Sequence, residues 1–81
     1  MLAHVYISHP GDKQTIKESR ERFKTLSDEE IIKAVEREKK LGIVGVHAQI
    51  LHLIALWFEM KDRSIDSPIL VEGNLIRFKE D

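Results

Sequence analysis

Histidine and carboxylate side chains offer the clearest opportunity for chemistry in this sequence, and their spacing is the first test of it. The apolar segment 44–61 carries His47 and His52, which are five residues apart. On an α-helix this spacing is a rotation of roughly 140°, so the two imidazoles cannot chelate one metal ion from one face. The zincin pattern of two histidines four residues apart with an intervening glutamate is also missing. We therefore expect no metal site on this helix.

His47 projects into the apolar side of that helix, where a histidine is expected to hydrogen-bond to a neighbour. Glu38 falls among the apolar positions of the preceding helix and is the partner that the sequence suggests. A buried Glu38–His47 pair is either structural or a general base with the group that orients it. We expect the structural alternative and no catalytic residue, which makes an enzyme the third function class.

Two further histidines, His4 and His9, flank a predicted N-terminal strand, and Asp12 follows them. Imidazole and carboxylate are both zinc ligands, but this spacing is not diagnostic of a zinc site. The segment "SHPGD" is interpreted as a turn because proline and glycine end regular structure. The sequence contains no cysteine, which excludes thiolate metal sites and thiol catalysis. We predict no metal and no other cofactor.

Basic side chains follow one side of the first predicted helix, residues 13–25. Successive spacings of four, three and four residues align Lys13, Lys17, Arg20 and Lys24. Four aligned cations could contact the phosphates of a nucleic acid. Interleaved acids, a net charge of −1 and the lack of an accompanying aromatic platform favour a solvated helix face instead. Nucleic-acid binding is therefore the second function class.

The elements that position these side chains have the predicted order β-α-α-α-β-β, in one α+β domain covering residues 1–81. Residues 2–7 are rich in β-forming types and predict a strand. Ser27 and Glu30 predict a capping box at the start of the second helix, and Gly42 is suited to follow its last turn. The inward side of this helix is expected to carry Ile31, Ala34, Val35 and Leu41.

The C-terminal sequence "ILVEGNLIRF" predicts a β-hairpin with a two-residue turn at Gly73 and Asn74. Period-two alternation then places four apolar side chains on one face of the hairpin, namely Ile69, Val71, Ile76 and Phe78. The N-terminal strand is expected to join this hairpin, with helices covering one face of the sheet.

The third helix has an unusually broad apolar side, opposite a narrow polar line that includes Gln49 and Glu59. The 16 residues from Ile43 to Phe58 fall short of the about 18 that a membrane span needs. The first two helices offer few apolar residues to cover this side, and small cores are marginal. We therefore expect a homodimer whose interface includes Ile50, Ile54, Trp57 and Phe58.

Together these features predict a small non-enzymatic protein–protein interaction module that self-associates through the apolar helix 44–61. The alternative is a nucleic-acid-binding regulatory protein that uses the aligned basic side chains of helix 13–25, which we call the basic stripe. A cysteine-free chain whose N-terminus does not follow the layout of a signal peptide favours a cytoplasmic location, with no membrane partner.

Overall fold

Three α-helices and an antiparallel hairpin form this protein in the computed structural model, which describes residues 4–79. The elements in chain order are β1 (His4–Val5), α1 (Asp12–Phe23), α2 (Asp28–Leu41), α3 (His47–Asp62), β2 (Ile69–Glu72) and β3 (Leu75–Phe78). The prediction of a small α+β domain is confirmed at this level.

The predicted leading strand over residues 2–7 is not confirmed. Within the described residues only His4 and Val5 pair with β3, opposite Ile76 and Leu75, and residues 2 and 3 lie outside the description. The Tyr6 amide still donates to the Asn74 carbonyl at 2.6 Å, but the chain then turns away from the sheet. It turns because the Tyr6 hydroxyl and the His9 amide both donate to a carboxylate at the start of α1.

The hairpin has the register that its sequence predicts. All four cross-strand pairs match, from Ile69 opposite Phe78 to Glu72 opposite Leu75. Ile69, Ile76 and Phe78 are buried and Val71 is half-buried, because these four side chains share the face that meets the helices. The turn chemistry and the alternation specify the same register, which explains the agreement.

Helix α2 begins with the predicted capping box. The Glu30 amide donates to Ser27 Oγ at 3.2 Å, and the Ser27 amide donates to Glu30 Oε1 at 2.9 Å. Gly42 follows the helix with a positive φ of 79°. The predicted inward position of Leu41 is wrong, since its side chain is 70% exposed. Leu41 is the last residue of α2, and the chain leaves the helix there in a segment without regular secondary structure.

Helix α3 is the centre of the core, as expected from its apolar composition. It packs against α1, α2 and β2, and most of its residues from Ile50 to Met60 are buried. Within residues 4–79, no helix is both long enough and apolar enough to cross a membrane.

A buried ion pair joins the ends of all three helices, which corrects the prediction that Glu59 lies on a polar line. The Glu59 side chain is 5% exposed, and Oε2 accepts from Arg63 Nε at 2.8 Å. Arg63 also donates to Asp28 Oδ1 and to the Phe23 carbonyl, both at 2.9 Å. One guanidinium thus connects the end of α3 to the start of α2 and the end of α1.

Candidate functional site

Two histidines and an aspartate meet where α1 and α3 begin. His47 Nε2 lies 3.0 Å from Asp12 Oδ1 and 3.1 Å from His9 Nδ1. One ligand atom from each side chain lies within 4.8 Å of the other two. The three residues come from the turn after β1, the first residue of α1 and the first residue of α3. We call them the His9–Asp12–His47 cluster.

Asp12 is the buried centre of this cluster, with a side chain that is 6% exposed. The His9 backbone amide donates to Oδ2 at 2.6 Å, and the Tyr6 hydroxyl donates to the same atom at 2.9 Å. The hydrogen bond from the His9 amide is the main cause that lowers the pKa of Asp12 to about 2; burial opposes this shift, and His47 and Tyr6 reinforce it. The carboxylate is therefore ionised at neutral pH.

Asp12 does not cap α1, although an aspartate could do so at this point of the chain. Gly11 is the N-cap, with a φ of 89°, and no side chain caps the helix there. Asp12 is the first helical residue, where a negative charge suits the helix dipole. Its carboxylate accepts hydrogen bonds from the preceding turn rather than from the helix itself.

The predicted Glu38–His47 pair is wrong. The Glu38 carboxylate lies instead 3.8 Å from His52 Nε2, and His47 contacts Asp12 and His9. His47 is the first residue of α3 and faces the start of α1, whereas His52 lies more than one turn along the helix, facing α2. The Asp12–His47 contact resembles a base with its orienting carboxylate, but the other partner of His47 is an imidazole rather than the hydroxyl of a nucleophile.

His52 is half-buried and packs edge-on against the Phe23 ring, with ring centroids 5.3 Å apart. Burial is the main cause that lowers the pKa of His52 below its usual 6.5, while Glu38 opposes this shift and the charges of Arg22 and Arg37 reinforce it. The folded protein therefore takes up this proton at a lower pH than the unfolded chain does.

We expect the stability of the wild-type protein to fall as the pH decreases from about 7 to 5, because the unfolded chain binds the His52 proton first. The His52→Gln variant should lose this contribution and show a flatter dependence over the same range. Urea unfolding at several pH values measures both slopes. The difference in the free energy of unfolding between the two proteins at pH 8 serves as the baseline, since His52 is neutral at that pH in both the folded and the unfolded chain. Parallel slopes for the two proteins would contradict this assignment.

One open groove of about 280 Å³ lies along the basic stripe of α1. All four members of the stripe line the groove: Lys13, Lys17, Arg20 and Lys24. The other lining residues are Ile16, Glu21 and Phe58. Arg20 is already engaged, because its guanidinium pairs with Asp62 and lies 4.8 Å from the centroid of the Phe58 ring. The alignment of the stripe is thus as predicted. The aromatic residue that the sequence did not place beside it comes from α3.

The predicted dimer surface is largely occupied by the protein's own core. Ile50 and Ile54 are buried against the rest of the chain, so a second copy cannot contact them in this conformation. Their burial is completed by α1, α2 and the sheet, which together cover more of α3 than was expected. Trp57 and Phe58 are half-buried and pack edge-to-face on each other, with ring centroids 4.9 Å apart.

Besides Ile32 and Leu41 on α2, exposed apolar side chains lie on β1 and the residues after it, on β3 and in the segment that joins α2 to α3. Four of them are more than half exposed and one is 43% exposed, and we call this set the apolar patch: Val5, Ile7, Val44, Val46 and Leu75. Val5 pairs directly with Leu75, and Tyr6 stacks on His47 with ring centroids 6.0 Å apart. The first contact joins Val5 to Leu75, and the second links Tyr6, the residue between Val5 and Ile7, to the start of α3 next to Val46.

Two features of the sequence, which the predictions above left aside, indicate this surface. Alternation in "VYI" places Val5 and Ile7 opposite Tyr6, whose ring packs against the core. The short segment "GIVGVH" has glycines on both sides of Val44, which is unfavourable for a helix and leaves its valines outside one.

Comparisons with protein-family models, with curated protein sequences and with solved structures found no significant match for this chain. The function must therefore be inferred from the surface, the groove and the cluster described above.

Proposed function

We propose that this protein is a non-enzymatic protein–protein interaction module that forms a homodimer through the apolar patch. The observation that supports it is the exposure of Val5, Ile7, Val44 and Val46, each more than half exposed although each is apolar and β-branched. The proposal takes these side chains to form one surface, since contiguous exposed apolar surface is typical of protein interaction sites. The cytoplasmic location expected from the sequence remains part of this proposal.

A second copy of the chain is the partner that suits this surface best. The outer face of the sheet carries Leu75 and Val5 beside an ion pair, in which Arg77 lies 2.9 Å from Glu72. In a two-fold dimer both copies present the same patch, so an acid and a base from each could meet at the rim. A standard interface buries about 800 Å² per partner, which is roughly one seventh of the 5435 Å² surface here.

Sedimentation of the wild-type protein and of an Ile7→Lys/Val46→Lys variant tests this proposal. We expect a dimer for the wild type at micromolar concentration and a monomer for the variant, because two lysines would be desolvated in the interface. Both side chains are more than half exposed, so the variant should keep the wild-type circular dichroism spectrum. Ile32→Lys, on the exposed side of α2, is the matched control and should remain dimeric.

A monomeric wild type throughout the micromolar range would contradict the proposal. A dimer that persists in the Ile7→Lys/Val46→Lys variant would show that the interface lies on another surface. The half-buried pair of Trp57 and Phe58 is then the next surface to examine, and Trp57→Ala would test it.

The basic groove supports a second function, the binding of single-stranded nucleic acid. The specific observation is Phe58, whose ring lies beside the lysines and could stack on a base. Arg20 is committed to Asp62, so Lys13, Lys17 and Lys24 would contact phosphates. A Lys13→Glu/Lys17→Glu variant should lose salt-sensitive retention on a single-stranded DNA column, while Lys33→Glu/Lys40→Glu on α2 should keep it. Equal retention of both variants would contradict this function.

A further inference from the structure

We propose that the His9–Asp12–His47 cluster binds one first-row divalent transition-metal ion, with zinc as the best-suited probe. The ligands are His9 Nδ1, His47 Nε2 and Asp12 Oδ1. This site is independent of the proposed dimer, because all three ligands belong to one chain.

The spacing of the ligand atoms fits a metal ion at their centre. Zinc–nitrogen and zinc–oxygen bonds of about 2.05 Å in a tetrahedron place neighbouring ligands about 3.3 Å apart. The corresponding separations here are 3.0 Å from His47 Nε2 to Asp12 Oδ1 and 3.1 Å from His47 Nε2 to His9 Nδ1. His9 Nδ1 lies 4.0 Å from the other carboxylate oxygen of Asp12. The His9 and Asp12 ligand atoms, which lie within 4.8 Å of each other, must therefore move closer when an ion binds, and the exposed His9 side chain has room to do so.

The surroundings of Asp12 already orient it as a metal ligand. Oδ2 accepts hydrogen bonds from the Tyr6 hydroxyl and from the His9 amide, and His47 Nε2 lies 3.0 Å from Oδ1 and 3.2 Å from Oδ2. Outer hydrogen bonds of this kind hold ligating carboxylates in place and strengthen metal binding. The stacked Tyr6 ring also restricts the orientation of the His47 imidazole.

The ligand set selects the class of metal. Two imidazoles and one carboxylate suit zinc and its first-row neighbours, while magnesium and calcium prefer oxygen ligands alone. Three protein ligands leave a fourth position for water, and the exposed side chain of His9 provides a path by which an ion can enter. A bound ion would join the start of α1 to the start of α3 and so add to the stability of the fold.

Calorimetric titration of the full, untagged chain with zinc chloride tests the site. We expect one equivalent to bind with a micromolar or tighter Kd, and magnesium chloride to give no heat. His9→Ala and His47→Ala should each weaken binding at least tenfold. His9→Ala is the more decisive variant, because the His9 side chain is 59% exposed and the backbone amide that holds Asp12 is retained.

Two histidine variants serve as matched controls. His52→Ala lies on the same helix as His47 and should bind zinc as the wild type does. His4→Ala removes the histidine nearest the N-terminus and should also leave binding unchanged. Cobalt(II) should give the visible absorption of a four-coordinate site in the wild type and in both controls, and lose it in His9→Ala.

No binding by the wild type, or equal binding by the wild type and His9→Ala, would overturn the proposal. Loss of binding in His4→Ala alone would assign the affinity to the N-terminus and overturn it as well. The titration is carried out beside sedimentation of the same samples. Failure of the metal site is thereby distinguished from failure of the dimer.

Discussion

Replacing Arg63 by methionine is expected to lower the free energy of unfolding by about 3 kcal/mol. The substitution leaves the Glu59 carboxylate buried without its partner, and its Oε1 atom already has no hydrogen-bond partner among residues 4–79. It also removes the donor to the Phe23 carbonyl, which is at the end of α1. Because the guanidinium joins three helix ends, the loss is expected to affect the whole fold rather than one exposed turn.

Thermal unfolding should show a melting temperature lower by roughly 12–24 °C for Arg63→Met, given the size of the chain. Arg37→Met is the matched control, since Arg37 is exposed on α2, and it should change the free energy of unfolding by less than about 0.5 kcal/mol. The double variant Arg63→Met/Glu59→Met should recover part of the stability, because it removes the unpaired charge. Equal stability of the single variant and the wild type would show that the ion pair makes no net contribution.

Replacing Leu53 by alanine is expected to destabilise the protein by about 3 kcal/mol. Leu53 is fully buried on α3, within the hydrophobic core, so its truncation leaves a cavity that close-packed neighbours can only partly fill. Native domains have a total stability of about 5–15 kcal/mol, so this loss is a substantial fraction of it.

Denaturant unfolding of Leu53→Ala measures this loss, and Leu41→Ala is its control. Both substitutions remove the same atoms from a helix, but Leu41 is 70% exposed. We expect Leu41→Ala to change the free energy of unfolding by less than about 0.5 kcal/mol. Comparable losses in the two variants would mean that Leu41 is covered in solution, as it would be if the segment after α2 took part in the dimer.

Local patterns in the sequence determined those features of the fold that are formed by residues close together in the chain. The capping box of Ser27 and Glu30 spans three residues, and the hairpin register follows from a two-residue turn with alternating side chains. The alignment of Lys13, Lys17 and Lys24 follows from helical geometry alone. Each of these features depends on contacts or rotations within a few residues, which a sequence displays directly.

The tertiary structure alone decided which distant side chains meet. His47 lies 35 residues from Asp12 and 38 from His9, and its position at the start of α3 directs it to α1 rather than to Glu38 on α2. The same packing buried Ile50 and Ile54, which had been assigned to a second copy, and left Val44 and Val46 exposed. Helical periodicity shows which side of a helix is apolar, but the crossing and order of the helices determine what covers each turn. That arrangement depends on the packing of the whole core.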